Sequence, residues 1–350
     1  MSESGDRKIR AAVVGVGIGY LHLQGYAKSP HAEIAAVCDI DAARAERVAN
    51  EFQVPRVFTD YREMLKMEEI DVVSVCVPNY LHAPVAIACF EAGKHVVCEK
   101  PMAMNASEGE QMLEAARKAG RRLMMAFNNR FRGDVQVLKG FIEAGELGEI
   151  YFAKTGWVRR QGIPGMGGWF TTKAKSGGGP LIDIGVHMLD VTLYLMGNPK
   201  PVSVMGCTYG KFGPRGLGQG GWGTPEAGGT FDVEDMAAAL IRFENGASVF
   251  LEASWASYIE RDVMYSSLLG TEGGADLEPL RVYKQLRGVQ TDITPHFPRV
   301  SGHEQEILHF VECLKNGTEP IATGEHGLDV MRILDGIYRS AETGELVRIS

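Results

Sequence analysis

The sequence predicts an α/β domain with a doubly wound parallel sheet, followed by an α+β domain built on a large, mainly antiparallel open sheet. In the first third of the chain, short apolar runs alternate with helical patterns, as in βαβ units. Later apolar runs are longer, and residues 247–255 alternate between apolar and polar side chains, which is typical of a sheet with one buried face. The chain of 350 residues is long enough for two cores. We place the domains at residues 1–129 and 130–350.

Composition and charge narrow the class of protein. The chain is 45% hydrophobic and 23% charged, with a formal net charge of −8. These values are ordinary for a soluble globular protein and argue against a nucleic-acid binder, which needs basic side chains for phosphate contacts. No apolar run is long enough to cross a membrane, and residues 1–8 are expected to form a frayed polar tail. The 6 cysteines are scattered without C-x-x-C spacing. We therefore expect a cytoplasmic protein with reduced, buried thiols and no metal site.

The first βα unit contains a glycine turn. The apolar run Ile9–Val14 is followed by Gly15, Gly17 and Gly19, and then by a helical pattern over residues 20–28. In dinucleotide-binding proteins, a strand, a glycine turn and a helix present backbone amides to a pyrophosphate. The spacing is one residue shorter than G-x-G-x-x-G, and a tight structural turn would show the same pattern.

The second strand ends in an acidic residue. Residues 34–38 are apolar and are followed by Asp39, at the usual distance from a glycine turn for a carboxylate that binds the adenosine ribose. The same charge would repel a 2′-phosphate, and Ile40 supplies no basic partner for one. We expect Arg44 to be a solvated charge on the helix over residues 41–52. NAD is therefore favoured over NADP.

Further βα units bring the number of predicted parallel strands to six. Ligands bind beyond the C-terminal ends of such strands, and several polar or special residues fall at these ends. The predicted cofactor-binding residues are Gly15, Gly17, Ile18, Gly19, Asp39, Ile40, Val77, Pro78, Asn79, His82, Glu99, Lys100 and Asn128.

A second glycine-rich stretch lies in the middle of the chain. Three glycines at residues 177–179 precede Pro180, which suits the first turn of a helix, and apolar residues then recur at helical spacing. We expect the glycines to let a ligand approach the backbone. Asp183 and His187 are four residues apart, so a helix would place both on one face as an acid–base pair. The alternative is an aspartate that faces the positive end of the helix and a histidine that only packs.

Two motifs and their flanks resemble the Gfo/Idh/MocA family of oxidoreductases. Glu99-Lys100-Pro101 follows AGKHVVC, with VPNYLH upstream, and residues 177–187 match G-G-G-x-x-x-D-x-G-x-H. The resemblance extends from about Arg10 to the C-terminus. It implies that Lys100 lies beside the nicotinamide and the reacting carbinol. It also implies that the outer face of the large sheet forms oligomer contacts, so we expect a homodimer or a homotetramer.

The proton chemistry can then be assigned. Histidine, with a pKa of about 6.5, suits acid–base work near neutrality better than an exposed lysine. We expect His187 to be the primary acid or base and Lys100 to hydrogen-bond the reacting oxygen and relay its proton, acting as a base only if the site lowers its pKa. Asp183 would bind a neighbouring hydroxyl or stabilise the cation on its partners. Hydride would pass between a substrate carbon and the cofactor.

The predicted substrate contacts include two irregular segments. Residues 159–175 contain Arg159 and Trp169, and residues 211–229 contain many glycines. Such long loops are usually functional or disordered, so they could enclose a sugar ring or serve as surface or subunit contacts. Many family members have Trp-Arg where this chain has Trp169-Phe170, so a contact from that arginine is absent. The predicted substrate-binding residues are Lys100, Arg159, Trp169, Asp183 and His187.

The favoured function is an NAD-dependent dehydrogenase of a secondary alcohol in a sugar, sugar derivative or cyclitol. One alternative is an enzyme that oxidises its substrate transiently, for glycoside cleavage by elimination or for epimerisation. The other is a non-catalytic nucleotide-sensing regulator, against which the joint presence of Lys100, Asp183 and His187 argues.

Overall fold

The computed structural model describes residues 7–349, so residues 1–6 of the predicted tail lie outside the described residues. The elements up to residue 149 are β1 (Ile9–Val14), α1 (Gly19–Lys28), β2 (Ala32–Cys38), α2 (Ala42–Phe52), β3 (Val57–Phe58), α3 (Tyr61–Met64), β4 (Val72–Val75), α4 (His82–Glu91), β5 (His95–Glu99), α5 (Ala106–Ala119), β6 (Leu123–Ala126) and α6 (Gly133–Glu143). The later elements are β7 (Ile150–Val158), α7 (Lys173–Ser176), α8 (Val186–Leu195), β8 (Pro201–Tyr209), β9 (Met236–Phe243), β10 (Ser248–Ser254), β11 (Val263–Gly270), β12 (Gly273–Leu277), β13 (Leu280–Leu286), β14 (Val289–Ile293), α9 (Gly302–Asn316), α10 (Gly324–Thr343) and β15 (Val347–Arg348).

The chain forms two compact units. The first contains the residues up to Phe131 together with Val300–Leu328, and the second contains Arg132–Arg299 and the residues from Asp329. The sequence-based division after residue 129 therefore differs from the structure in the placement of residues 300–328. The reason is apolar packing in the first unit, where Ile307 of α9 lies so close to Gly25 that a Cβ there would be 2.6 Å from the Ile307 Cβ.

The first unit contains the predicted parallel sheet, with strand order β3-β2-β1-β4-β5-β6. The strand order reverses between β1 and β4, which is the position where ligands bind in doubly wound folds. The strands are apolar, and apart from the two-residue edge strand β3 their central residues are almost fully buried. Asp41, Asn105 and Ser301 each accept a hydrogen bond from the third residue of the following helix, which explains where α2, α5 and α9 begin.

The second unit contains a nine-stranded sheet, with order β14-β13-β12-β11-β7-β10-β9-β8-β15. Among the described strands of this sheet, only β7 and β10 pair in parallel, and the other neighbours pair antiparallel. This agrees with the predicted mainly antiparallel sheet. In β10 the side chains of Val249, Leu251 and Ala253 are buried, whereas Ser248 and Phe250 are partly exposed, as the alternation predicts.

The six cysteines carry free thiols, and all except the half-exposed Cys207 are buried. Within residues 7–349, no helix combines the length and the apolar character that crossing a membrane requires.

Candidate active site

The glycine turn between β1 and α1 uses its three glycines for three different purposes. Gly15 has a φ of +86°, and a Cβ there would lie 2.2 Å from the Cys76 carbonyl oxygen. A Cβ at Gly19 would lie 2.6 Å from Val13 Cγ1, so this glycine lets α1 pack on the sheet. A Cβ at Gly17 would meet no atom within 4 Å. The positive φ and the nearby carbonyl explain Gly15, and the packing of α1 on the sheet explains Gly19. The space beside Gly17 is open, at the position where the strand order reverses.

The start of α1 has the chemistry of a phosphate site. Ile18 precedes the helix and has no polar side chain with which to cap it. The Tyr20 and Leu21 amides donate to the Gly17 and Ile18 carbonyl oxygens (3.3 and 2.9 Å). An open glycine backbone beside a helix N-terminus is what a dinucleotide pyrophosphate requires. The residues of this turn therefore fit NAD.

Asp39 is held by three donors at the end of β2. Its Oδ2 accepts a hydrogen bond from the Val16 amide (2.9 Å), and its Oδ1 accepts from the Asp41 amide (2.9 Å) and from Arg44 Nη2 (2.7 Å). Arg44 lies on α2 as predicted and its side chain is 41% exposed, but its guanidinium also pairs with the buried Asp39 carboxylate, which the prediction did not include. This pairing weakens the repulsion that Asp39 would exert on a 2′-phosphate. Ile40 is 92% exposed and offers an apolar contact at the same edge.

The loops after β4 and β5 are joined by His82. This buried ring lies 2.8 Å from the Val77 carbonyl oxygen through Nε2 and 2.6 Å from the Pro101 carbonyl oxygen through Nδ1. Burial lowers the pKa of His82, and the two carbonyl oxygens oppose that shift. Since main-chain atoms already occupy both ring nitrogens, His82 fixes the loops, and its contact with a cofactor stays a prediction. Asn79 is also buried at this edge.

A buried histidine–glutamate contact lies directly before Lys100. His22 in α1 is fully buried, and its Nε2 is 3.0 Å from Glu99 Oε1, while Glu99 Oε2 accepts a 3.2 Å hydrogen bond from the Lys100 amide. Burial acts to raise the pKa of Glu99. The hydrogen bond and charge of His22, with the charges of Lys100 and His303, outweigh burial and bring the pKa of Glu99 to about 2. Glu99 is therefore a carboxylate that fixes the backbone from which the Lys100 side chain extends.

Asn128 lies after β6 in the same unit. Its Nδ2 is 3.5 Å from His303 Nδ1, and its buried Oδ1 has no hydrogen-bond partner among residues 7–349. A buried amide oxygen without a partner is costly unless a ligand or water supplies a donor. This observation supports the prediction that Asn128 contacts the cofactor.

In the second unit, the glycines at residues 177–179 do not leave open space. A Cβ at Gly178 would lie 1.9 Å from Tyr338 Oη, and one at Gly179 would lie 1.9 Å from the Glu234 carbonyl oxygen. The expectation that these glycines let a ligand approach is therefore wrong for Gly178 and Gly179, which are buried against protein. Gly177, with a φ of +85°, ends α7.

Glu234, which the sequence did not single out, holds this glycine segment. Its carboxylate accepts hydrogen bonds from the Gly179 amide (2.9 Å), the Leu181 amide (3.2 Å) and Tyr338 Oη (2.9 Å). Burial raises the pKa of Glu234, and these uncharged donors only partly oppose it. Glutamates carry no sequence signal for this role, because the donors come from distant segments.

Asp183 lies in a π-helical turn rather than in a continuous α-helix. The turn comprises Leu181–Gly185 and precedes α8, and the Val186 amide donates to the Leu181 carbonyl oxygen. The π turn replaces the regular α-helix that the sequence predicts for this segment. Such turns occur frequently at functional sites. Asp183 is 7% exposed, and its Oδ2 accepts a 3.0 Å hydrogen bond from Trp255 Nε1.

Arg159, at the end of β7, lies among aromatic rings. Its guanidinium carbon is 4.5 Å from the Trp157 ring centroid and 5.7 Å from that of Trp222. Burial lowers the pKa of Arg159, while the carboxylates of Asp183 and Asp262 raise it. The half-buried His187 has its ring centroid 6.4 Å from that of Trp157.

The structure therefore gathers several predicted residues of this unit and adds others. His187 and Arg159 both lie near the Trp157 ring, and the charge of Asp183 acts on Arg159. The predicted Trp169 stacks on Phe170 with a centroid separation of 3.7 Å. The position of Trp157 in the β7 sequence could have indicated that residue, whereas the other missed residues depend on loop positions and tertiary contacts. The residues that sequence reasoning missed are His22, Trp157, Trp222, Glu234, Trp255 and His303.

The parallel sheet with its glycine turn, the aspartate after β2 and the glutamate and lysine at the end of β5 fit an NAD-binding oxidoreductase. The chain belongs to the Gfo/Idh/MocA family. The model of the oxidoreductase family's NAD-binding Rossmann fold matches residues 9–127, and the model of its C-terminal alpha/beta domain matches residues 139–349. The predicted family and cofactor are thereby confirmed.

Relatives match along almost the whole chain. D-glucoside 3-dehydrogenase of Escherichia coli strain K12 is 36% identical over 346 residues, which is 97% of each chain. The scyllo-inositol 2-dehydrogenase (NAD(+)) of Bacillus subtilis strain 168 is 32% identical and covers 91% of this chain and 90% of its own. The solved structure of levoglucosan dehydrogenase in complex with NADH and levoglucosan matches with a TM-score of 0.87 and 25% identity. The match covers 98% of this chain and 100% of that one.

Proposed function

We propose that the protein transfers hydride between NAD and one secondary carbinol of a sugar or cyclitol ring, with glycosides of the glucose type as the first candidates. The observation that carries this proposal is Asp183, buried in its π turn, bound by Trp255 and neighboured by the charge of Arg159. Carboxylate and guanidinium groups bind hydroxyls, while neighbouring rings suit the apolar face of a sugar. The match to the Escherichia coli glucoside dehydrogenase along 97% of the chain supports the substrate class.

The chain's own residues would divide the work as follows. The turn at Gly17 would bind the pyrophosphate and Asp39 the adenosine ribose; NAD, when bound, supplies the hydride acceptor or donor. Lys100, fixed at its amide by Glu99, would donate a hydrogen bond to the reacting oxygen. His187 would take or return the hydroxyl proton, and Asp183 would bind a neighbouring hydroxyl.

A substrate panel tests this proposal. We expect NADH formation with glucosides, aldoses or inositols and slower turnover with NADP. His187→Ala should lower kcat about 100-fold, because a general acid or base is lost, while the Kd for NAD stays within about twofold. Weaker NAD binding with unchanged kcat would contradict the role of His187.

Product analysis in the same assays separates net oxidation from transient oxidation. An oxidised sugar formed in equal amount to NADH supports the proposal. Cleaved or epimerised sugar without net NADH would instead support the elimination or epimerisation chemistry.

The second unit also has a surface suited to self-association. On the outward face of the nine-stranded sheet, Leu240 lies opposite Met205 and Phe250 in the strand register. Met205 and Leu240 are 45% and 44% exposed, and Leu269 on the same face is 42% exposed. We infer that this face pairs with another copy to give a homodimer or homotetramer. Light scattering should show an oligomer that Leu240→Asp converts to monomer; a monomeric wild-type protein would refute this inference.

A further inference from the structure

Six side chains of the second unit form a continuous series of contacts, which we call the aromatic row. The centroid of His187 is 6.4 Å from that of Trp157, whose ring has the Arg159 guanidinium at 4.5 Å. That guanidinium is 5.7 Å from the centroid of Trp222, which meets Phe170 edge-on at 4.9 Å. Phe170 in turn stacks on Trp169. The members of the aromatic row are His187, Trp157, Arg159, Trp222, Phe170 and Trp169.

Trp222 is held in the row by its backbone. The glycine-rich loop of residues 211–229 is docked on residues 161–168, and the Gly165 amide donates a 2.9 Å hydrogen bond to the Trp222 carbonyl oxygen. Ile163 exchanges backbone hydrogen bonds with Gly218 (2.9 Å) and Gly220 (2.8 Å). The glycines permit this close approach, since a Cβ at Gly220 would lie 2.9 Å from the Gly162 Cα. The loop therefore presents Trp222 from a defined backbone position.

The two ends of the row differ in chemistry. At the His187 end, the negative charge of Asp183 interacts with the guanidinium of Arg159. This end therefore offers charged groups that can bind hydroxyls. Beyond Arg159 the row consists only of aromatic rings, and Trp222 remains 40% exposed. A large aromatic side chain that a docked loop holds partly in solvent is suited to bury its remaining surface against a ligand.

The length of the row decides the class of ligand. A single pyranose ring engaged by Asp183, Arg159 and His187 covers about one aromatic ring in area, and the row continues past Arg159 through three more rings. We propose that these rings bind a second group joined to the reacting sugar, with Trp222 as the platform for its flat apolar face. The substrate is then a glycoside whose second group is an aromatic aglycone or another pyranose. This inference rests on the proposed function, since it takes the reacting ring to lie at Asp183.

Paired substrates test the platform directly. We compare free glucose, methyl glucoside, phenyl glucoside and a glucosyl disaccharide with saturating NAD. We expect wild-type kcat/KM to be about tenfold higher for phenyl glucoside than for methyl glucoside. Trp222→Ala should bring the ratio of kcat/KM for phenyl glucoside to that for methyl glucoside close to one, whereas Trp222→Phe should retain most of the advantage.

A control variant comes from the same loop. Leu217 is 38% exposed and lies outside the row, so Leu217→Ala should leave all four substrates unchanged. An equal loss by Trp222→Ala on every substrate, or no loss on any, would overturn the proposal. The glucosyl disaccharide shows which second group the rings bind. A higher kcat/KM for phenyl glucoside alone, relative to methyl glucoside, points to aromatic aglycones.

Binding measurements separate this inference from the proposed function. Calorimetry on the protein saturated with NADH, which cannot accept hydride from the glucoside, should show about tenfold tighter binding of phenyl than of methyl glucoside, and Trp222→Ala should abolish the difference. Tighter binding of phenyl glucoside that depends on Trp222, without NADH formation in the assays with NAD, would refute only the proposed reaction. Turnover of sugars without preference for the larger glycosides would refute only the platform, and binding of no glycoside would overturn both.

Discussion

The two glycine-rich turns of this protein look alike in sequence and differ in what surrounds them. In the first unit, the space beside Gly17 is open, and the glycine turn leads into a helix whose first amides are free of side-chain caps. In the second unit, the positions where Gly178 and Gly179 lack a Cβ are filled by Tyr338 and Glu234. A glycine cluster therefore indicates close approach of a backbone, and only the structure shows whether the approaching group is protein or ligand.

The buried glutamates of the two regions show a similar contrast. The pKa of Glu99 is lowered to about 2 because a histidine ring and further positive charges outweigh burial. The pKa of Glu234 is raised because burial outweighs its hydrogen bonds from amides and a phenol. The charge of the partner thus decides the direction of the shift.

Substitution of Gly179 should give the largest effect on stability. Gly179→Ala places a Cβ against the Glu234 backbone, so we expect the free energy of unfolding to fall by at least about 3 kcal/mol. Gly140→Ala in α6 is the matched control, because its Cβ would meet nothing within 4 Å. It should raise stability by up to about 1 kcal/mol. Urea denaturation followed by circular dichroism measures both, and equal stabilities would contradict the filled-turn description.

Acid titration should separate the two glutamates. The folded pKa of Glu99 is about 2 against an ordinary value of 4.5, so ionised Glu99 stabilises the fold above pH 4.5. This stabilisation, about 3 kcal/mol, is lost as the pH falls toward 2. Glu99→Gln should flatten the acid-side fall in unfolding free energy, whereas Glu234→Gln should not. An unchanged acid slope in Glu99→Gln would show that His22 does not hold a carboxylate.

Substitution of Gly17 should affect binding and leave folding intact. Gly17→Ala has open space for its methyl group, so the free energy of unfolding should stay within about 0.5 kcal/mol of wild type. The Kd for NAD should rise about tenfold, because the methyl group lies where the pyrophosphate approaches. Fluorescence titration with NAD measures this change. Unaltered NAD affinity would place the pyrophosphate elsewhere.

Substitution of Arg44 should have the smallest effect, a change in the preference for NAD over NADP. Arg44→Leu removes the positive charge from Asp39 Oδ1 and should strengthen the preference for NAD over NADP by about two- to fivefold. Parallel kinetics with both cofactors provide the test. A weaker preference for NAD would show that Arg44 acts on the cofactor in another way than through Asp39.

Patterns with a fixed period were readable from the sequence, and contacts between distant segments were not. Alternating apolar runs predicted the parallel sheet and the positions of Asp39 and Lys100 directly after β2 and β5, because backbone geometry ties these positions to local spacing. The π turn at Leu181–Gly185 was missed, since its residues show ordinary helical periodicity. The Arg44–Asp39 pair joins residues only five positions apart, but it depends on side-chain directions that the apolar pattern does not report. The His22–Glu99 pair and the position of Trp222 depend on tertiary packing, for which spacing gives no signal.

The most direct test of the account is the comparison of Lys100→Met with wild type in NAD binding and in glucoside oxidation. Lys100 follows Glu99, which contacts His22, and would hydrogen-bond the reacting oxygen. We predict that Lys100→Met folds, binds NAD within about threefold of wild type, and loses about 100-fold or more in kcat. Normal turnover of a glucoside by Lys100→Met would contradict the central claim.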